Sequence, residues 1–294
     1  MSKLVSAIIT TYKRPVEIVF RAIESVLNQT YSSIEIILVD DSPETYGGRI
    51  VLQNEVLKYS DKIKYIQNRC NVGACASRNI GLNMANGDSI AFLDDDDEWL
   101  PEKIEYQINK MSDPDIGIVY CGRMIVDDST GEISTENLVG HSGYVFDKLI
   151  FNNFIGSTSY PLIKREALFE VEGFDPLMKS AQDYDLWLRL AKKFKVDFVN
   201  VPLVKYHVHE GERISTNFKS RISGQERLIE KNMEYLRQNR KAWWWRLLRL
   251  SFQYAQSKQL KPTVKVWIKA CAKQPFRVST NVRYLLYIFY HYFK

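Results

Sequence analysis

Ser89-Ile90-Ala91-Phe92-Leu93-Asp94-Asp95-Asp96-Asp97 runs from a short apolar stretch straight into four carboxylates. Ile90 to Leu93 has the length and the sharp boundary of a buried strand. Adjacent carboxylates repel one another, and the buried strand behind them makes that repulsion worse. Two readings fit the run by itself. One is a hard divalent cation on oxygen ligands, where magnesium takes one or two carboxylates plus a substrate's phosphates. The other is an acidic, solvated loop. The surrounding chain has to separate them.

Working outward, strand and helix patterns alternate. Val5 to Thr10 is a β-branched run, and Pro15 opens a helix with Ile18, Ala22, Ile23, Val26 and Leu27 on one face. Ile34 to Val39 reads as a strand stopped by Asp40-Asp41, followed by a helix around Arg49 to Leu57 and a strand from Lys62 to Gln67. Gly73 to Ala85 is helical in pattern, Pro101 starts another helix, and Ile116 to Tyr120 is a further strand. This alternation predicts βαβ units in a mostly parallel sheet. Ligands of such sheets bind outside the carboxyl ends of the strands. Three polar clusters fall there: Thr10-Thr11-Tyr12, Asp40-Asp41 and Asp94 to Asp97. Each alone could be turn chemistry; their shared position favours a site.

Further on, Ser129 to Ser159 has a loop-like composition, and Gln182 to Lys193 returns to helical spacing. Val196 to Val201 and Leu203 to Val208 read as short strands around Pro202. After Gly211 the pattern is helical, broken near Pro262 and Pro275.

The chain has 294 residues, 45% hydrophobic and 26% charged, which suits a folded protein with a sizeable core. Cys70, Cys75, Cys121 and Cys271 form no CxxC pair and no zinc spacing, and no signal peptide pattern precedes the first strand. Free thiols in a reducing compartment are expected. No apolar run approaches the roughly 20 residues needed to span a bilayer. The net charge of +5 hides an asymmetry: Tyr235 to Lys294 holds thirteen Lys and Arg and no Asp or Glu. The remaining 27 basic and 35 acidic residues leave the first 234 positions at −8. A basic tail on an acidic body points to a polyanionic partner, a membrane surface or nucleic acid.

Seven motifs in order resemble family 2 glycosyltransferases with the GT-A fold. They are Ile9 to Pro15, Val39-Asp40-Asp41-Ser42, Asn71 to Gly81, Phe92 to Asp97, Gly173-Phe174-Asp175, Gln182 to Arg189, and Tyr206-His207-Val208-His209. The resemblance covers roughly residues 4 to 216 and implies an α/β, Rossmann-like GT-A fold with a mostly parallel central sheet flanked by helices. Its catalytic domain would span 1–218, with a nucleotide-sugar half at about 1–120 and an acceptor and base half at about 121–218. A helical, basic and aromatic extension, 219–294, lies beyond it.

The resemblance also implies roles. Thr10, Tyr12 and Asp41 would line the nucleotide pocket, Arg78 would support it, and Asp94 and Asp95 would lie near the ribose. Asp96 would hold Mg²⁺ or Mn²⁺ on the diphosphate of the donor, and His209 would contact the metal or the diphosphate. Asp97 reads as structural. Asp183 would be the catalytic base; acids are also favoured in a helix's first turn for structural reasons. The implied reaction is inverting transfer from a nucleotide sugar, with UDP the family's habitual nucleotide. Two departures stand out. Gln182 replaces the usual Glu, and His207 stands where Arg is common, so a diphosphate contact there would depend on pH.

Trp243 to Tyr254 reads as a helix with Arg246, Arg249, Gln253 and Gln256 on a narrow polar face. That pattern suits the plane of a membrane interface; the alternative is a helical domain that packs its aromatics against the catalytic body. A lipid-linked or growing envelope glycan is the expected acceptor, met by a cytoplasmic enzyme peripheral to the inner face of the cell membrane. Nucleic acid is not expected, since no recognition module is present. Two other classes compete. A metal-dependent sugar nucleotidyltransferase would want a Gly-rich phosphate loop after the first strand, and Thr10 to Pro15 has no glycine. A non-catalytic membrane or nucleic-acid adaptor would tolerate loss of Asp96 or Asp183.

Overall fold

The computed structural model describes residues 3–135, 139–208 and 217–293. In chain order the elements begin with β1 (Val5–Thr11), α1 (Val16–Leu27), β2 (Ile34–Asp40), α2 (Gly48–Leu57), β3 (Ile63–Gln67), α3 (Ala74–Met84) and β4 (Ser89–Asp94). There follow β5 (Glu98–Trp99), α4 (Lys103–Lys110), β6 (Ile116–Asp127), β7 (Ile133–Thr135), α5 (Phe146–Leu149), β8 (Leu162–Lys164), α6 (Arg165–Glu170), α7 (Gln182–Ala191) and β9 (Lys195–Val208). Then come α8 (Phe218–Lys231), α9 (Met233–Gln238), α10 (Arg240–Gln256), α11 (Leu260–Cys271) and α12 (Val278–Phe293). By contact the chain divides into two units. A sheet unit comprises Met1–Leu149, Asn153–Pro176 and Leu186–Glu210; a helical unit comprises Ile150–Asn152, Leu177–Asp185 and Gly211–Lys294.

In the sheet unit the strand order is β3-β2-β1-β4-β8-β6-β9-β5, with β7 added on β6. β1 pairs in parallel with both β2 and β4, so the chain reverses its direction of travel across the sheet after β3. That reversal creates a switch point, with its crevice at the carboxyl ends of β1 and β4. The register puts Thr10 beside Asp94 and Thr11 beside Asp40. β1 and β4 are buried along nearly their whole length, as expected of strands covered on both faces. Val19, Ala22, Ile23 and Val26 of α1 fill one side of that core.

The other half of the sheet departs from simple alternation. β8 lies antiparallel between β4 and β6, and β5 lies antiparallel on β9. The loop-like stretch 129–159 contains β7 and α5. The two short strands expected around Pro202 are one strand, β9, parallel to β6. Proline cannot donate to a ladder. The register accordingly skips from Cys121–Val199 to Gly122–Pro202, and the strand continues past the bulge.

In the helical unit α10 is the core, with Ala242, Trp244, Arg246, Leu247, Leu248, Leu250 and Ser251 buried. This corrects the interface reading of Trp243 to Tyr254. Trp244 Nε1 donates to Asn281 Oδ1 at 2.8 Å, Trp245 Nε1 donates to the Phe151 carbonyl at 2.7 Å, and Lys273 lies 3.3 Å above the Trp243 ring. The polar face expected to meet water is turned inward at Arg246 and Gln253, 1% and 7% exposed. The division also runs differently from a boundary at 218. Residues 150–152 and 177–185 join the helical unit because they find packing partners there, Phe151 among them.

Candidate active site

Asp41 closes the end of the second strand. Its backbone N–H donates to the Thr11 carbonyl at 2.9 Å. Its Oδ1 accepts from Asn68 Nδ2 at 2.8 Å and Val72 N at 2.9 Å, and its Oδ2 accepts from Gly73 N at 2.9 Å. Gly73 has φ +86°, a conformation that costs glycine little, so the chain turns into α3 with its N–H aimed at the carboxylate. The neighbouring Asp40 is fully buried and accepts from Ser42 N and the Tyr65 hydroxyl. Buried Arg49 ties the ends of β2 and β3 together through the carbonyls of Ser42 and Asn68.

After β1, Tyr12 is 45% exposed, so its ring is open to a ligand. Lys13 adopts φ +49° and donates its N–H to Ser42 Oγ at 2.8 Å, which pins the turn. Thr10 is half-buried at the strand end. Arg14 then reaches back over the aspartate run. Its guanidinium lies 3.1 Å from Asp95 Oδ1 and 3.1 Å from Asp96 Oδ2.

Each aspartate of the run has a different setting. Asp94 accepts from Arg78 at 2.7 Å, Thr158 Oγ1 at 2.8 Å and Ser157 Oγ at 3.1 Å. Burial pushes its pKa up, but Arg78 and the two hydroxyls more than offset this and hold it below the ordinary value. For Asp95, burial outweighs Arg14, and with repulsion from Asp96 it raises the pKa to about 6. Asp97 is 1% exposed, and neither carboxylate oxygen has a hydrogen-bond partner at bonding distance among the described residues. Burial, then repulsion from Asp94, pushes its pKa well up; the nearby Ser159 hydroxyl and His207 backbone N–H only soften this.

A divalent cation fits the chemistry of this cluster. Asp95 and Asp96 already converge on one positive group, the Arg14 guanidinium, and every donor is a hard oxygen. Among the described residues no three ligand-type side chains cluster. A cation here would therefore complete its shell with substrate phosphates and water.

His207 is 5% exposed, and its ring nitrogens face carboxylates, Nδ1 at 2.6 Å from Asp128 and Nε2 at 2.8 Å from Glu98. Burial alone would lower its pKa, and the two carboxylates raise it instead. In this arrangement it joins β9 to Glu98 of β5 and to Asp128 just past the end of β6. His209 lies outside the described residues.

Asp183 and Gln182 open α7, and Asp183 is half-buried. Ala181, at φ +56°, turns the chain into the helix, and Asp185 N donates to its carbonyl at 3.0 Å. Gln182 Nε2 donates to the Met178 carbonyl at 3.1 Å. Asp183 stands in the first turn, where the helix dipole favours an ionised carboxylate. Its segment belongs to the helical unit, whereas Asp94 to Asp97 belong to the sheet unit.

The sequence reading missed three side chains. Arg14 was seen only as part of a motif, yet it neutralises two aspartates. Ser157 and Thr158 lie in a stretch read as loop, yet both donate to Asp94. Their only sequence signal is a run of three hydroxyl residues after Gly156.

Residues 6–171 match the family model described as Glycosyl transferase family 2. The chain is 32% identical over 233 residues to the putative colanic acid biosynthesis glycosyl transferase WcaA of Escherichia coli K12, covering 75% of this chain and 78% of that one. It is 31% identical over 219 residues to the UDP-Glc:alpha-D-GlcNAc-diphosphoundecaprenol beta-1,3-glucosyltransferase WfgD of Escherichia coli, covering 74% and 81%. Among solved structures, S. aureus TarS 1-349 in complex with UDP-GlcNAc superposes with a TM-score of 0.62 over 92% of each chain at 15% identity, a likeness of fold.

Proposed function

The chain belongs to glycosyl transferase family 2, and on that premise we propose that it is an inverting, metal-dependent enzyme moving a sugar from a UDP-sugar to an acceptor hydroxyl. The observation that carries the reading is that, at the switch point of the sheet, Asp94 meets Arg78 while Asp95 and Asp96 share Arg14. A nucleotide diphosphate needs a base pocket and positive charge beside its phosphates, and this crevice holds the parts for both.

In this reading the exposed Tyr12 ring stacks on the base, with Thr10 beside it. Asp41 Oδ2, which accepts from Gly73 N, keeps a lone pair for a base N–H. Arg78, fixed by Asp94, walls the pocket, and Asp94 and Asp95 face the ribose. Asp96 would hold Mg²⁺ or Mn²⁺, with His209 a second candidate. When bound, the cation supplies Lewis-acid neutralisation of the leaving diphosphate. Asp183 takes the proton from the acceptor hydroxyl as that oxygen attacks the anomeric carbon, and UDP departs from the opposite face. Proton removal by a positioned carboxylate contributes about 10²–10⁴-fold.

The acceptor proposed is a lipid-linked glycan of the cell envelope. The name of WfgD, a relative that covers most of this chain, carries a diphosphoundecaprenol acceptor. A cytoplasmic enzyme docked on the inner face of the membrane would meet such acceptors. No helix among the described residues is long and apolar enough to cross a membrane. The surface that suits lipid is on α12, where Val278, Val282, Leu286 and Tyr290 are 48–66% exposed at four-residue spacing. The excess of basic residues from Tyr235 onward would hold it to anionic lipid, at about 1 kcal/mol per residue near the surface.

A thermal-shift screen of nucleotide sugars with Mg²⁺ and Mn²⁺ tests the donor. Stabilisation by a UDP-sugar that needs the cation supports the reading, and the absence of any response across the panel counts against it. Flotation on phosphatidylglycerol vesicles tests the surface: Leu286→Glu with Val282→Glu should abolish it. Equal flotation of the variant would remove α12 from that role.

A further inference from the structure

The polar stripe of α10 that turns inward carries more positive charge than packing needs. Arg246 is 1% exposed, its guanidinium lies over the Tyr184 ring at 4.7 Å, and it donates to the Tyr184 hydroxyl. Its NH1 reaches Gln225 Oε1 of α8 at 3.5 Å, and its Nε, fully buried, has no partner among the described residues. Arg249 stands three residues on, so it shares that face of α10. Arg221 stands four residues before Gln225, so it shares the face of α8 that meets Arg246. Both are half-buried. Arg221 rests on the Phe218 ring, and no carboxylate among the described residues pairs with any of the three arginines. Burial, then Arg249, lowers the pKa of Arg221; burial lowers that of Arg246, with Tyr184 opposing and Arg249 adding to the fall. Tyr184 feels Arg246, Arg249 and Asp183 together, so the cluster adjoins the first turn of α7.

Three guanidinium groups crowded without an acid are costly to hold in the absence of an anion. Arginine's fork suits phosphate oxygens in particular. We propose that Arg221 and Arg249, backed by the buried charge of Arg246, form an anion site of the helical unit that receives a phosphate group of the acceptor's diphosphate. This rests on the reading of Asp183 as the base, because the site adjoins Tyr184, its chain neighbour. It adds what that reading lacks, a reason for the acceptor to be phosphorylated. Close packing keeps the cluster beside that turn: a Cβ on Gly224 of α8 would fall 2.5 Å from the Ser180 carbonyl oxygen.

The probe is inorganic pyrophosphate, titrated by calorimetry into the full chain with EDTA present. Wild type should bind it without a divalent cation, and Arg221→Gln with Arg249→Gln should weaken binding at least about tenfold while the melting temperature of the free protein stays level or rises. Arg246 is left intact because its burial makes it part of the core. The variant should still float on phosphatidylglycerol vesicles. No binding by wild type, or equal binding by the variant, would overturn the proposal. Loss of flotation along with pyrophosphate binding would overturn it too, by making the cluster a headgroup site. UDP binding with Mn²⁺, measured on the same samples, reports the donor reading separately: its failure in wild type would sink that reading and leave the arginine result standing.

Discussion

At the strand ends of the sheet unit, Asp94, Asp95 and Asp96 each meet an arginine, Arg78 or Arg14, within 3.1 Å. In the helical unit, Arg221 meets a phenylalanine ring and Arg246 a tyrosine and a glutamine, and neither they nor Arg249 pair with a carboxylate among the described residues. Both clusters concentrate one sign of charge, and they are stabilised differently. The aspartates are held by counter-charges from distant stretches of the chain, so the crevice is formed before any ligand arrives. Arg221 and Arg246 lean on aromatic rings, and in the anion site proposed above a ligand would meet the cluster's charge. On the proposed reading, the first is a donor site formed in advance and the second a cluster that gains most when an anion binds.

The comparison breaks most sharply at the chemistry. Asp183→Asn should lower turnover by about 10²–10⁴-fold with donor affinity unchanged, measured by steady-state kinetics beside calorimetry. Near-normal turnover would take Asp183 out of the base role.

The helical unit also holds a paired buried charge, which makes a useful contrast with its arginines. Asp185, 1% exposed, accepts from Lys231 at 2.6 Å. Lys231→Met should cost about 3 kcal/mol in urea unfolding, because it removes the cation paired with a buried carboxylate. Adding Asp185→Leu should recover most of that loss. If the single change costs nothing, this pair does not hold the turn before α7.

In the sheet unit, Arg14→Ala should cost about 1–2 kcal/mol, since it leaves Asp95 and Asp96 facing each other unbalanced. Mn²⁺ with UDP should then raise the melting temperature more in the variant than in wild type. Equal shifts would mean that Arg14 does not stand where the cation would act.

The smallest effect belongs at the opposite end of the strands. Glu35 accepts from Ser6 Oγ at 2.5 Å and Asn86 N at 2.6 Å, with Gly87 N at 3.2 Å. Burial opposes these bonds, which still lower its pKa below the ordinary value. A depressed folded-state pKa gives stability that is fully present above the unfolded-state value, near 4.5, and is lost as pH falls through the folded-state value. Glu35→Gln should cost about 1 kcal/mol at neutral pH and flatten the loss of stability below pH 4.5. An unchanged acid limb in a pH series of melts would count against this.

Legibility followed the range of the interactions. The strands of the first half showed in their apolar runs, and the three polar clusters at their ends showed because turn residues stop those runs. β8, three residues long inside a polar stretch, carries too little pattern to reveal that it separates β4 from β6. β5 is two residues and exists only through its pairing with β9. The pairing of Arg14 with Asp95 joins residues 81 apart, beyond any local pattern. For α10, a broad apolar face looks the same whether lipid or neighbouring helices cover it. Its buried Arg246 depends on Tyr184, 62 residues earlier.

The most direct test of the central claim is calorimetric titration of UDP with Mn²⁺ into wild type and Asp96→Ala. Metal-dependent binding should be present in wild type and lost in the variant, with pyrophosphate binding in EDTA unaffected. UDP binding of equal strength in both proteins, or binding that ignores the metal, would contradict the donor site drawn at the end of β4.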